Sequence, residues 1–389
     1  MSVEYKKSFL GLVRPLILVA GFWPLPLTYQ KCYNIYSIIV KFSFLICLIT
    51  ILYEMLHILQ HHYDLNIIIT TFGMVITVGK MLIKLSIYHK FNTWALLKQV
   101  VEKDEEIKKS DDENVKASYL KKIQLINIYV TILVMITAVG QIGICTSGYL
   151  KFLQYKQESQ LTNSTKKQYL MFKSLFPHQM DNYYYVLTFQ LYWAWIIGLI
   201  NTITTVLFLA LLVYARFLLE GLQIYSGKFI IDLLANQKGK NNIETFKKFL
   251  DRHCYVIEFV QDLNQHLKYI TLLQFIFDSV DLASILSTTE FKSGLENLWL
   301  YFYVIILIIQ IYLLGWNCNE ITVQSIQLAE TLYDTNWYLL SREDLFNLQF
   351  IIARAQKPLF MTIGPFSPMT TSSVITIWKT AFSYYTIMN

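Results

Sequence analysis

The sequence predicts an all-α fold, a membrane protein of seven transmembrane helices, and three observations predict it. Hydrophobic residues make up 54% of the 389 and charged residues only 15%, with a mean hydropathy of +0.40. Soluble domains are about one-quarter charged, so no large soluble domain is expected. The apolar residues fall into seven runs of roughly the 20 residues that cross a bilayer. These runs cover about 35–57, 65–88, 124–148, 186–213, 266–287, 298–317 and 368–388, within a single domain over 1–389. The cations, finally, divide unevenly between the connecting segments. Segments 1–34, 89–123, 214–265 and 318–367 hold 22 Lys and Arg, and the segments on the opposite side hold 6. Cations favour the cytoplasmic side, which predicts a cytoplasmic N-terminus and an extracellular C-terminus.

Taken in order, residues 1–34 form an amphipathic lead. Arg14-Pro15 and Gly21-Phe22-Trp23-Pro24 beside apolar residues suit a segment lying in the membrane interface. The opening MSVEYKKSFLGLVRP lacks signal-peptide anatomy, so insertion is expected to rest on the first apolar helix. The mixed charges from Glu102 to Lys116 read as a solvated helix surface with i,i+4 pairing. The fourth run is long enough to continue into water. Segment 214–265, with Gly239, reads as a cytoplasmic extension of the helices on either side. The fifth run is the weakest, because Asp278 and Asp281 interrupt it. Carboxylates inside a span face water or a partner. They either line a cation route or mark the outer end of a helix that begins later. No internal repeat is evident, nor the matched broken helices of many transporters.

Motifs for chemistry are missing. The sequence has no P-loop, dinucleotide fingerprint or HExxH, and no GxSxG elbow. Its five cysteines are scattered, with no CxxC pair and no His at metal spacing. His57, His61 and His62 bracket the first outer loop, the first two at the i,i+4 spacing that could hold a metal, but no third ligand lies near that pair and an interfacial cluster is expected. An enzyme is not expected, nor a catalytic residue, metal, cofactor or nucleic-acid partner. The single N-x-[ST] acceptor, Asn163-Ser164-Thr165, lies in the 149–185 loop, which the charge count independently places outside. Asn163 is therefore the candidate glycosylation site.

Aromatic and small residues crowd the outer halves of four runs. The second offers Thr70, Thr71 and Met74, and the third Gly140, Gln141, Gly143, Ile144 and Ser147. The fourth offers Phe189, Tyr192, Trp193 and Ile196, and the sixth Tyr301, Phe302 and Tyr303. A pocket among them is apolar with a few polar handles, which suits a small hydrophobic ligand. An aromatic belt at the membrane surface is the alternative for Trp193, Trp299 and Tyr183-Tyr184-Tyr185.

The last stretch, Arg354 to Asn389, begins with a basic approach and a turn at Gly364, Pro365 and Pro368. An apolar helix follows that carries Thr370, Thr371, Ser372, Ser373, Thr376, Thr380, Ser383 and Thr386. Polar side chains in a span face protein or water, or bond back to their own helix.

These last residues carry a resemblance. Glu320 to Ala329, Tyr333 and Trp337, then Arg354-Ala355-Gln356-Lys357-Pro358, Gly364 and Trp378-Lys379-x-Ala381-Phe382-Ser383-Tyr384-Tyr385-Thr386, resemble the C-terminal signature of insect odorant receptors. The Gly21-Phe22-Trp23-Pro24 element is similar to that family's N-terminal motif. Length, seven runs and orientation extend the resemblance over the whole chain. The alternatives are a gustatory-type channel, which usually pairs a Thr-Tyr start with a Gln-Phe finish, and a metabotropic seven-helix receptor. The second would need the reverse orientation, and no Asp-Arg-Tyr or Asn-Pro-x-x-Tyr is present.

The resemblance implies a ligand-gated, non-selective cation channel in the plasma membrane of an olfactory sensory neuron. It implies a tetrameric channel, heteromeric with the odorant co-receptor subunit, a small volatile apolar ligand, and the lipid bilayer as solvent. It makes the final helix pore-lining, with Thr376, Thr380 and Ser383 facing the pore and Ile387 as a gate that closes by dewetting. Residues 320–358 and the inner ends of runs four to six resemble the cytoplasmic anchor where subunits pack. The 214–265 segment is shorter than the co-receptor's, which identifies this chain with the ligand-tuning subunits.

Overall fold

A computed structural model describes residues 8–21, 29–60, 65–90, 93–109, 112–162, 183–235, 242–288 and 298–388. Among these, ten α-helices carry almost all the regular structure. They are α1 (Val13–Val19), α2 (Gln30–Gln60), α3 (Leu65–Lys90), α4 (Thr93–Lys109) and α5 (Glu113–Thr162), followed by α6 (Tyr183–Ala235), α7 (Asn242–Thr288), α8 (Leu298–Tyr333), α9 (Arg342–Ala355) and α10 (Thr371–Met388). A two-residue antiparallel hairpin, β1 (Thr362–Ile363) and β2 (Ser367–Pro368), leads into α10. The final helix therefore starts at Thr371, later than the apolar run at 368, because Ser367 and Pro368 are paired in the hairpin as β2.

The helices outrun the apolar runs that seed them. The 53 residues of α6 extend for about 80 Å at 1.5 Å per residue. This far exceeds a bilayer core of about 30 Å, so α6 continues well beyond the apolar layer, as does the 47-residue α7. Among the described residues five helices are long and apolar enough to cross a membrane, within Gln30–Gln60, Thr71–Tyr88, Glu113–Leu150, Leu187–Ala235 and Tyr301–Tyr333. The runs at 266–287 and 368–388 are not among them. In α7 the charges of Lys268, Asp278 and Asp281 lower the hydropathy, and in α10 Lys379 and the hydroxyls do.

Helix α6 is the axis of the packing. From Val206 to Ala215 every side chain is buried, so this stretch is covered on all sides by protein. A helix apolar all round belongs in a core or a membrane. Helices α5, α7 and α8 pack around it, α3 packs on α7, and α10 packs on α7 and α8. Helix α2 is peripheral and leaves Ile35, Ile38, Ile39, Phe42 and Ile49 exposed.

Polar groups fix the register of these helices. Arg216 Nη1 on α6 donates to Asn317 Oδ1 on α8 at 2.7 Å, and Lys122 on α5 pairs with Glu220 on α6 at 2.6 Å. The N-terminal lead buries Phe9, Leu10, Val13 and Ile17 in the main core, with the Phe9 ring 5.1 Å from that of Tyr214. Asp104 holds it there, accepting from Ser8 Oγ at 2.9 Å and from the Phe9 N–H at 3.4 Å. Asp104 is thus buried, a correction to the solvated reading of Glu102 to Lys116. The surrounding pairs Lys98–Glu102 and Lys103–Glu106 are exposed as expected. Helix α9 is capped by Ser341, whose Oγ accepts from the Asp344 N–H. Glu343 and Asp344 lie at its positive end and Arg354 at its negative one.

Candidate functional site

The candidate pocket residues divide into three groups. Met74, Trp193 and Ile196 come together, packing with Val78, Met81, Phe44 and Cys47 where α2, α3 and α6 meet. Thr71 and Ser147 are buried and Ile144 and Phe302 half-buried. Phe189, Tyr192 and Tyr301 stand on the outer surface of the chain, each 44–46% exposed, although the Phe189 ring tilts against Trp193 at 6.2 Å. Thr70 is helical, but its side chain lies outside the described residues. Asn163, His61 and His62 lie outside them altogether. Among the described residues no group of three His, Cys, Asp or Glu is placed to hold a metal.

Gly140 and Gln141 sit at a close crossing of α5, α6 and α8. A Cβ at Gly140 would meet Ile306 Cδ1 at 3.2 Å, and one at Gly198 would lie 2.0 Å from Gln141 Nε2. Around this crossing the Thr137 and Thr202 hydroxyls are 2.8 Å apart, and Asn201 Nδ2 donates to Gln310 Oε1 at 3.3 Å. Gln141 Oε1, Asn201 Oδ1 and Gln310 Nε2 are buried with no hydrogen-bond partner among the described residues. An unsatisfied buried polar atom costs about 1–3 kcal/mol, so each of these three atoms would gain from a further hydrogen-bond partner.

Beside the pocket candidates lies a charge cluster that the sequence only half revealed. Asp278 and Asp281 neither line a route nor end a helix, a correction to both expectations. They turn to α3, where Lys80 Nζ lies 2.7 Å from Asp278 Oδ1 and 3.0 Å from Asp281 Oδ2. All three side chains are at most 2% exposed. Gln274 donates to the other oxygen of Asp278, and Thr77 Oγ1 reaches Asp281 Oδ2 at 3.4 Å. Tyr303 lies against Thr77, and Lys84, also buried, follows one turn along α3. Lys80 thus lies between two buried carboxylates and offsets their charge in part, which a buried set of charges needs. The signal in the sequence is Lys80 and Lys84 at i,i+4 in one apolar run and two aspartates at i,i+3 in another, of which Lys80 meets both aspartates.

Helix α10 has two faces. Val374 and Ile377 are buried against Ile311 of α8, with Phe275 of α7 packed on them. On the other face Thr376 and Ser383 are exposed and Thr380 is half-exposed. The hydroxyls of Thr376 and Thr380 donate to the carbonyls of Ser372 and Thr376, at 3.1 and 2.9 Å. Back-bonding and outward placement thus hold together. The backbone of Ile387 is helical and its side chain lies outside the described residues. Helix α10 meets α8 so closely that a Cβ at Gly315 would fall 2.2 Å from Val374 Cγ2.

At the opposite end, α7 and α9 enclose a groove of about 910 Å³ lined by Phe246, Leu250, His253, Phe350 and Arg354 among others. Burial, and then the neighbouring Arg354 charge, push the His253 imidazole down to about 4. None of the candidate ligand residues lines this groove.

Residues 62–382 match the family model described as 7tm Odorant receptor. The chain belongs to the 7tm odorant receptor family. Odorant receptor Or2 of Anopheles gambiae is 27% identical over 143 residues, which cover 36% of this chain and 38% of that one. Odorant receptor 10 of Aedes albopictus is 27% identical over 158 residues, 40% and 42% of the two chains. The matched stretch thus spans about two fifths of these curated relatives. The solved structure of the insect olfactory receptor OR5 from Machilis hrabei in complex with eugenol superposes with a TM-score of 0.78. It covers 98% of this odorant receptor and 97% of that chain at 12% identity, and so shares the fold. With its long apolar helices, this member of the family is a multi-pass membrane protein, and its class is that of receptors rather than enzymes.

Proposed function

We propose that this odorant receptor is the ligand-tuning subunit of an odorant-gated, non-selective cation channel. It assembles as a tetramer with the odorant co-receptor in the plasma membrane of an olfactory sensory neuron. The observation that carries this reading is the asymmetry of α10, which buries Val374 and Ile377 but leaves the Thr376, Thr380 and Ser383 face outside the packed chain. Hydroxyls facing lipid gain nothing, whereas hydroxyls facing a water-filled axis between subunits line a conduction path. Ile387, four residues beyond Ser383 in the sequence, is the gate that closes the path by dewetting.

A small, mostly apolar volatile occupies the space bounded by α3, α5, α6 and α8. Met74, Trp193 and Ile196 supply its apolar wall, and Gln141 Oε1, Asn201 Oδ1 and Gln310 Nε2 its polar handles. The ligand binds the open arrangement more tightly than the closed one, which is sufficient to shift the equilibrium. The apolar rims of the α7–α9 groove, with Phe346 and Phe350 exposed, suit contact with neighbouring subunits on the cytoplasmic side. In this reading the N-terminus is cytoplasmic and Asn163 extracellular and glycosylated.

Cysteine accessibility tests the conduction path. Thr380→Cys and Ser383→Cys, co-expressed with the co-receptor, are exposed to a positively charged thiosulfonate during stimulation. Current is expected to fall for both and to persist for Val374→Cys, whose side chain is buried. Equal insensitivity of all three would remove α10 from the pore.

A further inference from the structure

We propose that α7 is the lever that carries ligand occupancy to the final helix, and that Lys80 is the positioning residue that ties this lever to α3. The inference rests on the channel reading above and deepens it by naming the linkage between pocket and pore.

The inner part of α7 holds the lead-in to α10. Asn264 Oδ1 accepts from the Thr362 N–H at 2.8 Å and from its hydroxyl at 3.1 Å. The Gly364 N–H donates to the Lys268 carbonyl at 2.9 Å, and Leu272 lies directly beneath Gly364. Further along, Phe275 packs on Ile311, Val374 and Ile377, so the same helix also touches the buried face of α10.

Within the next two turns come Asp278 and Asp281, bound to Lys80 on α3. Helix α3 reaches the pocket candidates from that point outward. Thr77, one turn from Lys80, contacts Asp281, and Met74 packs with Trp193 and Ile196. Thus α3 meets the ligand at one end of a short stretch and grips α7 at the other, and α7 grips α10. Charges buried this completely do not slide past one another. Coulomb attraction is strong in a low dielectric, and a lost partner leaves an uncompensated ion. A displacement of α3 is therefore transmitted to α7 as a rigid shift or releases it altogether, the bistable behaviour that switching elements use.

Hydrogen exchange of the purified full chain in lipid nanodiscs tests the linkage without needing a ligand. Lys80→Met is expected to raise exchange in 371–388 on the order of tenfold, a coupling of ordinary size between linked sites. Exchange in α9 (342–355) is expected to stay as in the parent, and Lys80→Arg is expected to restore protection in α10. Should Lys80→Met not fold, Asp281→Asn, which keeps the Asp278 pair, gives the same reading at smaller amplitude. Unchanged exchange in 371–388 would overturn the proposal. So would an equal rise in α9, since that marks general destabilisation. In parallel, cells expressing the parent chain with the co-receptor are recorded during a panel of volatiles. Loss of protection in α10 without any evoked current would sink the channel reading while leaving the α3–α7–α10 linkage standing.

Discussion

Arg216 on α6 and Asn317 on α8 are joined by a 2.7 Å hydrogen bond, from Nη1 to Oδ1, where the two helices leave the apolar layer. Nη2 reaches Glu320 one turn further on at 3.4 Å. The pair fixes the register of the two most closely associated helices. Arg216→Met is expected to destabilise the fold by about 2 kcal/mol. That is below the roughly 3–5 kcal/mol of a fully buried pair, because Glu320 keeps some contact with water. Arg216→Lys should recover only part, since a lysine cannot reproduce the planar fork. Detergent-denaturation midpoints of the three proteins measure both effects.

Gly315 lets α10 lie against α8. A Cβ there would sit 2.2 Å from Val374 Cγ2. Gly315→Ala is expected to cost about 1–3 kcal/mol by overpacking and to alter resting current by displacing α10. Val374→Ala should rescue it. Independent, additive costs in the double-mutant cycle would show that the two residues do not share this contact.

Most of the architecture was readable from the chain, and the reason is physical. Apolar runs of bilayer length are local properties, and they declare an all-helical membrane fold, although the described residues form ten helices, five of them long and apolar enough to cross. The hydroxyl spacing of Thr376, Thr380 and Ser383 likewise declares one helical face. The partners of polar residues are not local. Asp278 and Asp281 were visible as costly, but Lys80 is about two hundred positions away, and only packing of α3 on α7 joins them. Asn201 and Gln310, in runs four and six, went unnoticed for the same reason. Aromatic character suits Phe189, Tyr192 and Tyr301 to a pocket, but it does not fix which way a helix turns them, and in the single chain they face outward.

Gly364 has φ +56, in the left-handed region that a Cβ disfavours, and Leu272 packs beneath it. Gly364→Ala is expected to cost about 1–2 kcal/mol, with Gly364→Asn costing less. The loss should appear as reduced surface expression and faster proteolysis near residues 362–368. Equal stability of all three proteins would mean that the hairpin adopts another turn.

His253 predicts a pH dependence. Its folded value, near 4, lies below the ordinary 6.5, so the folded chain holds the neutral ring. The associated stability is fully present above 6.5 and is lost as pH falls from there towards 4. The melting temperature of the purified protein should therefore fall over this window, and His253→Gln should make the decline shallower. An unchanged slope would place the sensitivity elsewhere.

The most direct test of the central claim is whole-cell current from cells expressing this chain with and without the co-receptor, during a panel of volatiles and with G-protein signalling blocked. A rapid cation current that requires both subunits and survives the block is the predicted result. A response that disappears under the block would contradict the account, because it would make the chain a metabotropic receptor and leave the exposed face of α10 without a pore to line.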